Sequence, residues 1–300
     1  MTGTGTVTIE AEPFLDGLCF GECPRWHDGR LWFVDFYDGT VQSVGESGDV
    51  RVELEVPGEP AGLGWLPDGR LLVVTRKPRT VVRREGDGRL VLHGDLNPLA
   101  SFYGNDMVVD GTGRAYVGNF GFDLDRFVEE RGLAALVEPP GPPTTVLIRV
   151  DPDGSVHRAA EDLSFPNGSV VTPDGRTLIV AETLAGRLTA FDIGDDGTLH
   201  GRRDWAALSW CAPDGICLDG DGRVWVANAL TSECILVAEG GEIVRRVTTS
   251  QNCFACMLGG EDRRTLYLIT APTSTESEVS VSRTGRIEQA RVAVGGAGFP

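Results

Sequence analysis

Polar side chains with oxygen atoms recur in six segments of the sequence, each just before an apolar run that is typical of a β-strand. These residues are Glu22, Glu59, Asn105 with Asp106, Asn167, Asp214 and Asn252. Carboxylate and amide oxygens suit Ca²⁺, Mg²⁺ or Mn²⁺ better than a soft metal. A single Asn or Asp before a strand is usually a turn residue that satisfies its own backbone. Because such residues recur at the same position of six segments, the set as a whole is better explained by a function. We predict that they form a shared divalent-metal site.

The same segments belong to an internal repeat. In each unit an Asp-Gly-Arg turn, or a variant of it, precedes a second apolar run, and the turn recurs every roughly 40 to 60 residues, as propeller blades do. The central turn residues are Gly29, Gly69, Gly113, Gly175, Gly222 and Arg263. Each unit reads as a meander of four short strands, and no long amphipathic helix separates the units. We therefore predict an all-β fold, a six-bladed β-propeller of four-stranded antiparallel blades, in one domain over residues 1–300.

Blade geometry predicts which residues share a face. If the first strand of a blade is innermost, its start and the end of the second strand lie at the same mouth, opposite the turns. The second-strand ends should then bring further polar residues near that mouth: Asp35, Arg76, Asn119, Glu182, Asn228 and Thr270. Either the N-terminal segment 6–12 or the C-terminal segment 286–294 is expected to complete the last blade.

One insertion, at about residues 120–144, interrupts the repeat. Its apolar residues Leu124, Phe127, Leu133 and Leu136 stand near helical spacing, and a proline-rich stretch follows them. Because the insertion leaves the chain directly after a second strand, we expect it near the mouth of the pocket. A partial lid and a surface decoration both remain open interpretations.

Composition excludes several classes of partner. The net charge is −17, with 27 basic and 44 acidic residues, so nucleic acid and anionic membranes are poor partners. The N-terminus lacks the pattern of a signal peptide and no apolar run is long enough to span a membrane, so we expect a soluble, cytoplasmic protein. The odd number of cysteines, seven, then indicates reduced thiols. Nothing in the sequence indicates the oligomeric state.

The motifs together resemble the senescence marker protein/gluconolactonase/luciferin-regenerating-enzyme family. The resemblance extends from about residue 15 to the end and is carried by "GECPRW" at 21–26, "GND" at 104–106, "FPNG" at 165–168 and "PDGICLD" at 213–219. It implies a six-bladed propeller with one divalent metal ion at its mouth. Ca²⁺ is the first choice for that ion, and Mg²⁺, Mn²⁺ and Zn²⁺ are the alternatives.

The resemblance also implies roles for single residues. The metal ligands implied are Glu22, Asn167 and Asp214. Asp214 is also the implied catalytic residue, and the implied substrate contacts are Asn105, Tyr103 and Asp123.

Two positions depart from the family pattern. Cys23 replaces the second glycine of a G-E-G-P signature. Tyr103 stands where animal members of the family carry an arginine that contacts a sugar lactone. A phenol does not replace a guanidinium group in kind. This change argues against a sugar lactone as the native substrate but not against lactone chemistry.

The function indicated is metal-dependent opening of a small-molecule lactone. The metal would polarise the carbonyl group, and Asp214 would accept a proton from water and pass it to the leaving alkoxide. No G-x-S-x-G elbow, P-loop or dinucleotide-binding motif is present. Two alternatives stay open: a related metal-dependent hydrolase or biosynthetic enzyme, for example one acting on organophosphate esters, and a non-enzymatic calcium-binding propeller.

Overall fold

Strands make up most of the chain in the computed structural model, which describes residues 7–300. Two strands precede the first blade: β1 (Val7–Glu10) and β2 (Glu12–Leu18). The first blade contains β3 (Gly21–His27), β4 (Arg30–Asp35), β5 (Thr40–Val44) and β6 (Val50–Glu55). The second contains β7 (Pro60–Trp65), β8 (Leu71–Thr75), β9 (Thr80–Arg84) and β10 (Leu90–Asp95). The third contains β11 (Gly104–Val109), β12 (Ala115–Asn119), β13 (Thr145–Val150) and β14 (Val156–Leu163).

The remaining blades follow the same order. The fourth contains β15 (Pro166–Val171), β16 (Thr177–Glu182), β17 (Arg187–Ile193) and β18 (Leu199–Ala207). The fifth contains β19 (Pro213–Leu218), β20 (Val224–Asn228), β21 (Glu233–Val237) and β22 (Ile243–Thr248). The sixth contains β23 (Asn252–Gly259), β24 (Thr265–Ala271) and β25 (Gly285–Arg291). Helix α1 (Leu124–Arg131) follows β12, and helix α2 (Glu276–Ser282) follows β24.

The six sheets form a closed ring. The first strands β3, β7, β11, β15, β19 and β23 contact one another in this order, and β23 returns to β3. Apolar side chains packed between neighbouring sheets form the core. The predicted all-β, six-bladed propeller with innermost first strands is therefore confirmed.

Both ends of the chain contribute to closing the ring. The C-terminal segment supplies β25, the third strand of the sixth blade, and β2 from the N-terminal part pairs antiparallel with it as the fourth. Most of segment 6–12 instead forms β1, which adds in parallel to β22 as a fifth strand on the fifth blade. The C-terminal segment therefore completes the sixth blade together with β2, whereas most of segment 6–12 extends the fifth blade.

Glycines let the inner strands approach one another closely. A Cβ atom on Gly168 would lie 2.5 Å from the backbone oxygen of Asp214, and one on Gly215 would lie 2.6 Å from the Cβ of Ala255. The Asn-Gly and Asp-Gly pairs at 167–168 and 214–215 are therefore not hairpin turns, because both lie inside inner strands. Here glycine leaves room for the backbone of the next blade.

We expect Gly168→Ala to destabilise the protein by at least about 2 kcal/mol, because the added methyl group meets backbone atoms that cannot move independently. The shift of β19 should also weaken divalent-metal binding. Gly86→Ala is the matched control, since no atom lies within 4 Å of a Cβ at that position. Chemical denaturation of both variants tests this expectation, and equal stabilities would contradict the close-approach argument.

The insertion after β12 forms α1 and a 3-10 turn over Leu133–Leu136. Its Leu124, Phe127 and Leu136 pack against a cluster formed by Phe120, Phe122 and Phe165. The insertion therefore packs on residues that follow β12 in the third blade and precede β15 in the fourth. Within residues 7–300, neither helix has the length and apolar character that crossing a bilayer requires.

Candidate metal and substrate site

Strand register decides which residues face the propeller axis at the mouth. The last residue of β4, β8, β12, β16 and β20 pairs with the first residue of its inner strand, and Thr270 of β24 pairs with Cys253. The residues that follow these partners on the inner strands are Glu22, Ala61, Asn105, Asn167, Asp214 and Phe254. Four of them are polar and buried, and we call Glu22, Asn105, Asn167 and Asp214 the polar ring.

Two predicted positions lie outside this ring. Glu59 stands before β7 and Asn252 is the first residue of β23, so neither is equivalent to Glu22. The register instead places Ala61 and Phe254 at those points. Proximity in sequence to a strand start was the wrong guide, because the equivalent position is fixed by pairing with the second strand.

The polar residues at the second-strand ends do not line the mouth. Asp35 accepts hydrogen bonds from the backbone N–H groups of Cys19 (3.0 Å) and Phe20 (2.9 Å). Glu182 accepts one from the N–H of Ser164 (2.8 Å). Asn119, Asn228 and Thr270 are likewise fully buried and bonded inside their blades. Asp35, Glu182 and Asn228 thereby hold the residues that lead into the inner strands. The second-strand ends lie beside the starts of the inner strands, as predicted, but these side chains are bonded within the blades.

In the second blade the residue at the end of the second strand is Thr75, and Arg76 directly follows it. Its backbone N–H donates to the oxygen of Glu59 (2.7 Å), and its Nη1 pairs with the Glu59 carboxylate (2.6 Å). Lys77 pairs with the same carboxylate. The charge on Glu59 is therefore neutralised at the rim of the mouth, above the polar ring.

Glu22 and Asp214 form an uncompensated pair of buried carboxyl groups. Burial, then repulsion from Asp214 and Asp106, raises the pKa of Glu22 well above its usual range. Burial, then repulsion from Asp106, raises the pKa of Asp214, and the side chain of Asn167 acts in the opposite direction. Among the described residues, no Lys or Arg forms an ion pair with Glu22 or Asp214. Charges in such a place require a positive partner.

Arg25 does not supply that partner. Its Nη2 bonds Asp106 Oδ1 and the backbone oxygen of Met107, both at 2.6 Å, and its Nε bonds the oxygen of Leu63 at 3.1 Å. The guanidinium group therefore neutralises Asp106 and ties three inner strands together. Its position beneath the polar ring leaves Glu22 and Asp214 without a cation.

These residues fit a divalent cation. Asp214 Oδ1 is buried and has no hydrogen-bond partner among the described residues, and the Asp214 carboxylate repels that of Glu22. Within residues 7–300, no three His, Cys, Asp or Glu side chains group together as a metal site would need. A cation held here therefore depends on amide oxygen as well as on the two carboxylates.

Thr183 fixes the orientation of the Asn167 amide group, which would supply that oxygen. Its hydroxyl donates to the backbone oxygen of Pro213 at 2.8 Å, so it accepts from Asn167 Nδ2 at 3.2 Å. The amide nitrogen of Asn167 thus points to Thr183, which leaves the amide oxygen as the available ligand. Sequence reasoning missed Thr183, which directly follows the last residue of β16.

The predicted substrate-contacting residues occupy different places. Asn105 belongs to the polar ring and donates its Nδ2 to the oxygen of Pro166 (3.3 Å). Tyr103 is half-buried at the rim, two residues before Asn105, with its ring centroid 4.5 Å from the Cζ of Arg76. Asp123 caps helix α1 by accepting from the N–H of Arg126 (3.1 Å). The structure therefore groups Asn105 and Tyr103 at the mouth and gives Asp123 a structural role in the insertion.

Cys23 shows why glycine is common at its position. Its φ is +49°, in the left-handed region where residues with a Cβ atom are strained. Its Sγ contacts the backbone oxygen of Ala61 on the neighbouring inner strand. Burial raises the pKa of this thiol well above its usual range, so Cys23 is a packing residue rather than a nucleophile.

Sequence reasoning also missed an aromatic layer at the mouth. We call it the aromatic collar, and it consists of Phe20, Phe36, Tyr103, Phe120, Phe165 and Phe254. A signal for it is present in the sequence, because Phe20, Tyr103 and Phe165 each stand two residues before a member of the polar ring. The repeated pattern is an aromatic residue, one intervening residue and an oxygen-bearing residue.

A cleft of about 290 Å³ lies at the opposite, turn-bearing face. Its wall includes Arg203 and Asp219, but Arg203 pairs with Asp192 (2.8 Å) and Asp219 accepts from the N–H groups of Asp221 and Arg223 (both 2.9 Å). These charged groups are engaged within their own hairpins. The buried carboxyl pair of Glu22 and Asp214 lies instead at the mouth.

Known proteins share this sequence pattern and fold. A pentonolactonase from Haloferax volcanii is 26% identical over 268 residues, covering 86% of this chain and 84% of its own. A 6-deoxy-6-sulfogluconolactonase from Pseudomonas putida is 24% identical over 272 residues, covering 86% and 85%. The structure of regucalcin from Agrobacterium tumefaciens, described as a calcium-binding protein, superposes with a TM-score of 0.78 at 18% identity and covers 98% of both chains.

One further match, to a protein-family region, covers most of the chain and establishes the family. Residues 20–272 match the SMP-30/gluconolactonase/LRE-like region as a whole. This stretch includes the entire polar ring, all six inner strands and all six second strands. The chain therefore belongs to the SMP-30/gluconolactonase/LRE-like family.

Proposed function

We propose that this protein is a lactonase that hydrolyses the carboxylic ester bond of a small lactone at the mouth of the propeller, with one bound divalent cation. The observation that carries the proposal is the buried Glu22–Asp214 pair, with Asp214 Oδ1 unpartnered among the described residues. Two relatives that match most of the chain are named as lactonases. Ligands for the cation are Glu22, Asp214 and the amide oxygen of Asn167, and this all-oxygen set favours Ca²⁺.

The reaction needs charge stabilisation and proton transfer. The cation, when bound, polarises the lactone carbonyl group and stabilises negative charge on its oxygen. Asp214 accepts a proton from the water that attacks the carbonyl carbon, and it returns that proton to the ring oxygen as the carbon–oxygen bond breaks. One water is consumed and the product is a hydroxy acid. Asn105, the fourth member of the polar ring, orients the substrate through its amide group.

Asp214 is suited to this proton transfer by its surroundings. Burial and repulsion raise its pKa, so the carboxylate is a stronger base than an exposed aspartate. Glu22 shares the same repulsion and helps to keep a proton close to the site. A carboxylate that also binds a cation is a weaker base, and the Glu22–Asp214 pair is therefore the unit that we assign to proton handling.

Metal removal tests the proposal directly. Protein stripped with a chelator should hydrolyse δ-valerolactone at the uncatalysed rate, and addition of one of Ca²⁺, Mg²⁺, Mn²⁺ or Zn²⁺ should restore activity at least about a hundredfold. A pH indicator follows the acid released. Full activity after stripping would remove the cation from the mechanism. Tight cation binding without hydrolysis of any lactone would favour a calcium-binding propeller, and turnover of an organophosphate ester alone would favour the related hydrolase.

A further inference from the structure

The aromatic collar forms a continuous chain of contacts around most of the mouth. Phe254 contacts Phe20 with ring centroids 4.9 Å apart, and Phe20 contacts Phe36 at 5.7 Å. On the other side, Phe120 contacts Phe165 at 4.6 Å. Arg76 joins the two halves, with its Cζ 5.7 Å from the ring of Phe36 and 5.1 Å from that of Phe120. The sixth, first, second, third and fourth blades thus all contribute to one wall.

Backbone hydrogen bonds hold this wall at the rim, directly beside the polar ring. In the first five blades, the residue after the second strand donates its N–H to the oxygen of the residue before the inner strand. These rim pairs are Phe36 with Phe20, Arg76 with Glu59, Phe120 with Tyr103, Thr183 with Phe165, and Ala229 with Ala212. A molecule that reaches the polar ring therefore passes aromatic residues on the first, third and fourth blades, and Phe254 of the sixth blade lies at the level of the ring.

Several polar groups at the rim already have hydrogen-bond partners, although Arg76 Nε has none among the described residues. Arg76 is engaged by Glu59 at 2.6 Å, and the Thr183 hydroxyl donates to Pro213 at 2.8 Å. The Tyr37 hydroxyl, next to Phe36, donates to the oxygen of Ser274 at 3.0 Å. Hydroxyl groups of a polyol placed against such a wall would lose hydrogen bonds to water without replacement.

The fifth blade provides an opening in the collar with apolar surface beyond it. Its rim residues are the small Ala212 and Ala229. Two large apolar side chains flank them: Trp210 is 46% exposed and Leu230 is 64% exposed. These two side chains place exposed apolar surface beside the opening.

We infer that the substrate is a lactone whose ring carries an apolar substituent, alkyl or aryl, rather than several hydroxyl groups. This inference rests on the proposed lactonase function. The ester group lies at the polar ring, the lactone ring packs against the aromatic collar, and the substituent leaves past Ala212 and Ala229 toward Trp210 and Leu230. The collar then recognises apolar surface, while the polar ring performs the reaction common to all lactones.

Three six-membered lactones test the inference on the wild-type, metal-loaded protein. They are unsubstituted δ-valerolactone, δ-decanolactone with its pentyl chain, and glucono-1,5-lactone. We expect kcat/KM for δ-decanolactone to exceed that for glucono-1,5-lactone at least tenfold. An equal or higher value for glucono-1,5-lactone would overturn the inference and leave the lactonase function intact. Failure to hydrolyse any of the three would instead overturn the proposed function.

One exposed substitution tests the exit path. Leu230→Ser should lower kcat/KM for δ-decanolactone about threefold or more through KM and leave δ-valerolactone unchanged. Leu92→Ser is the matched control, because Leu92 is 63% exposed on an outer strand. Both residues are exposed, so both variants should fold, as thermal unfolding would verify. An equal effect on both lactones, or none on either, would contradict the path past the fifth blade.

Discussion

Asp214→Asn should reduce kcat/KM for lactone hydrolysis by about a thousandfold or more while the propeller remains folded. The substitution keeps the shape of the side chain but removes the charge and the proton-accepting oxygen from the polar ring. It also relieves a buried, repelled carboxylate, so the metal-free fold should not be weakened. Initial rates with saturating divalent cation, together with chemical denaturation, measure both effects.

The matched control for this experiment is Asp219→Asn, near the other end of the same inner strand. Asp219 accepts hydrogen bonds from the N–H groups of Asp221 and Arg223 and pairs with the Arg223 guanidinium (2.9 Å). Its loss should lower stability and change kcat/KM less than about threefold. Comparable losses of activity in both variants would show that the fold, rather than the carboxylate at the mouth, was being tested.

Glu22→Gln should stabilise the metal-free protein at pH 8 by about 1 to 3 kcal/mol and abolish its divalent-metal binding. The raised pKa of Glu22 means that the native state holds a proton more tightly than the unfolded chain, whose Glu pKa is about 4.3. This contribution to stability is therefore complete below that pH and is lost as pH rises through the native pKa. In the wild type without metal, stability should fall across this window, and in the variant the fall should be smaller.

The opposite sign is expected for the same substitution at Glu182. Burial alone would raise the pKa of Glu182, but hydrogen bonds from Arg187 (2.9 Å) and Thr189 (2.5 Å) outweigh it and lower the pKa. Its contribution is present above the unfolded pKa and is lost as pH falls through the native one. Glu182→Gln should therefore destabilise the protein at pH 8. Urea denaturation of both variants at pH 5 and pH 8 decides the matter, and destabilisation by both would contradict the repulsion in the polar ring.

Much of the site was predictable because its signals are local. Glu22, Asn105, Asn167 and Asp214 each precede an apolar strand at the same phase, and strand periodicity makes that phase visible in sequence. A glycine directly follows Asn167 and another directly follows Asp214. These glycines are visible in the sequence and indicate that the inner strands approach one another closely. Tyr103 could be assigned to the mouth from its distance to Asn105.

Other features could not be predicted because they depend on partners far apart in the chain. A register irregularity lies at or directly after this position in every inner strand, so the facing residue cannot be counted from the strand start alone. For this reason Glu59 and Asn252 seemed equivalent to Glu22. Nothing in the sequence shows that Asp123 caps the helix of the insertion.

The sequence by itself determined the number of blades and the alternation of strands and turns, because these follow from repeats of local pattern, and it included the four residues of the polar ring among its candidates. Only the tertiary structure decided how the ring closes, with β2 and β25 from opposite ends of the chain in one sheet. It also decided which charges remain unpaired. Arg25 reaches Asp106 on the third blade, so Glu22 and Asp214 are left to repel each other across the axis, and long-range contacts of this kind carry no signature in neighbouring residues.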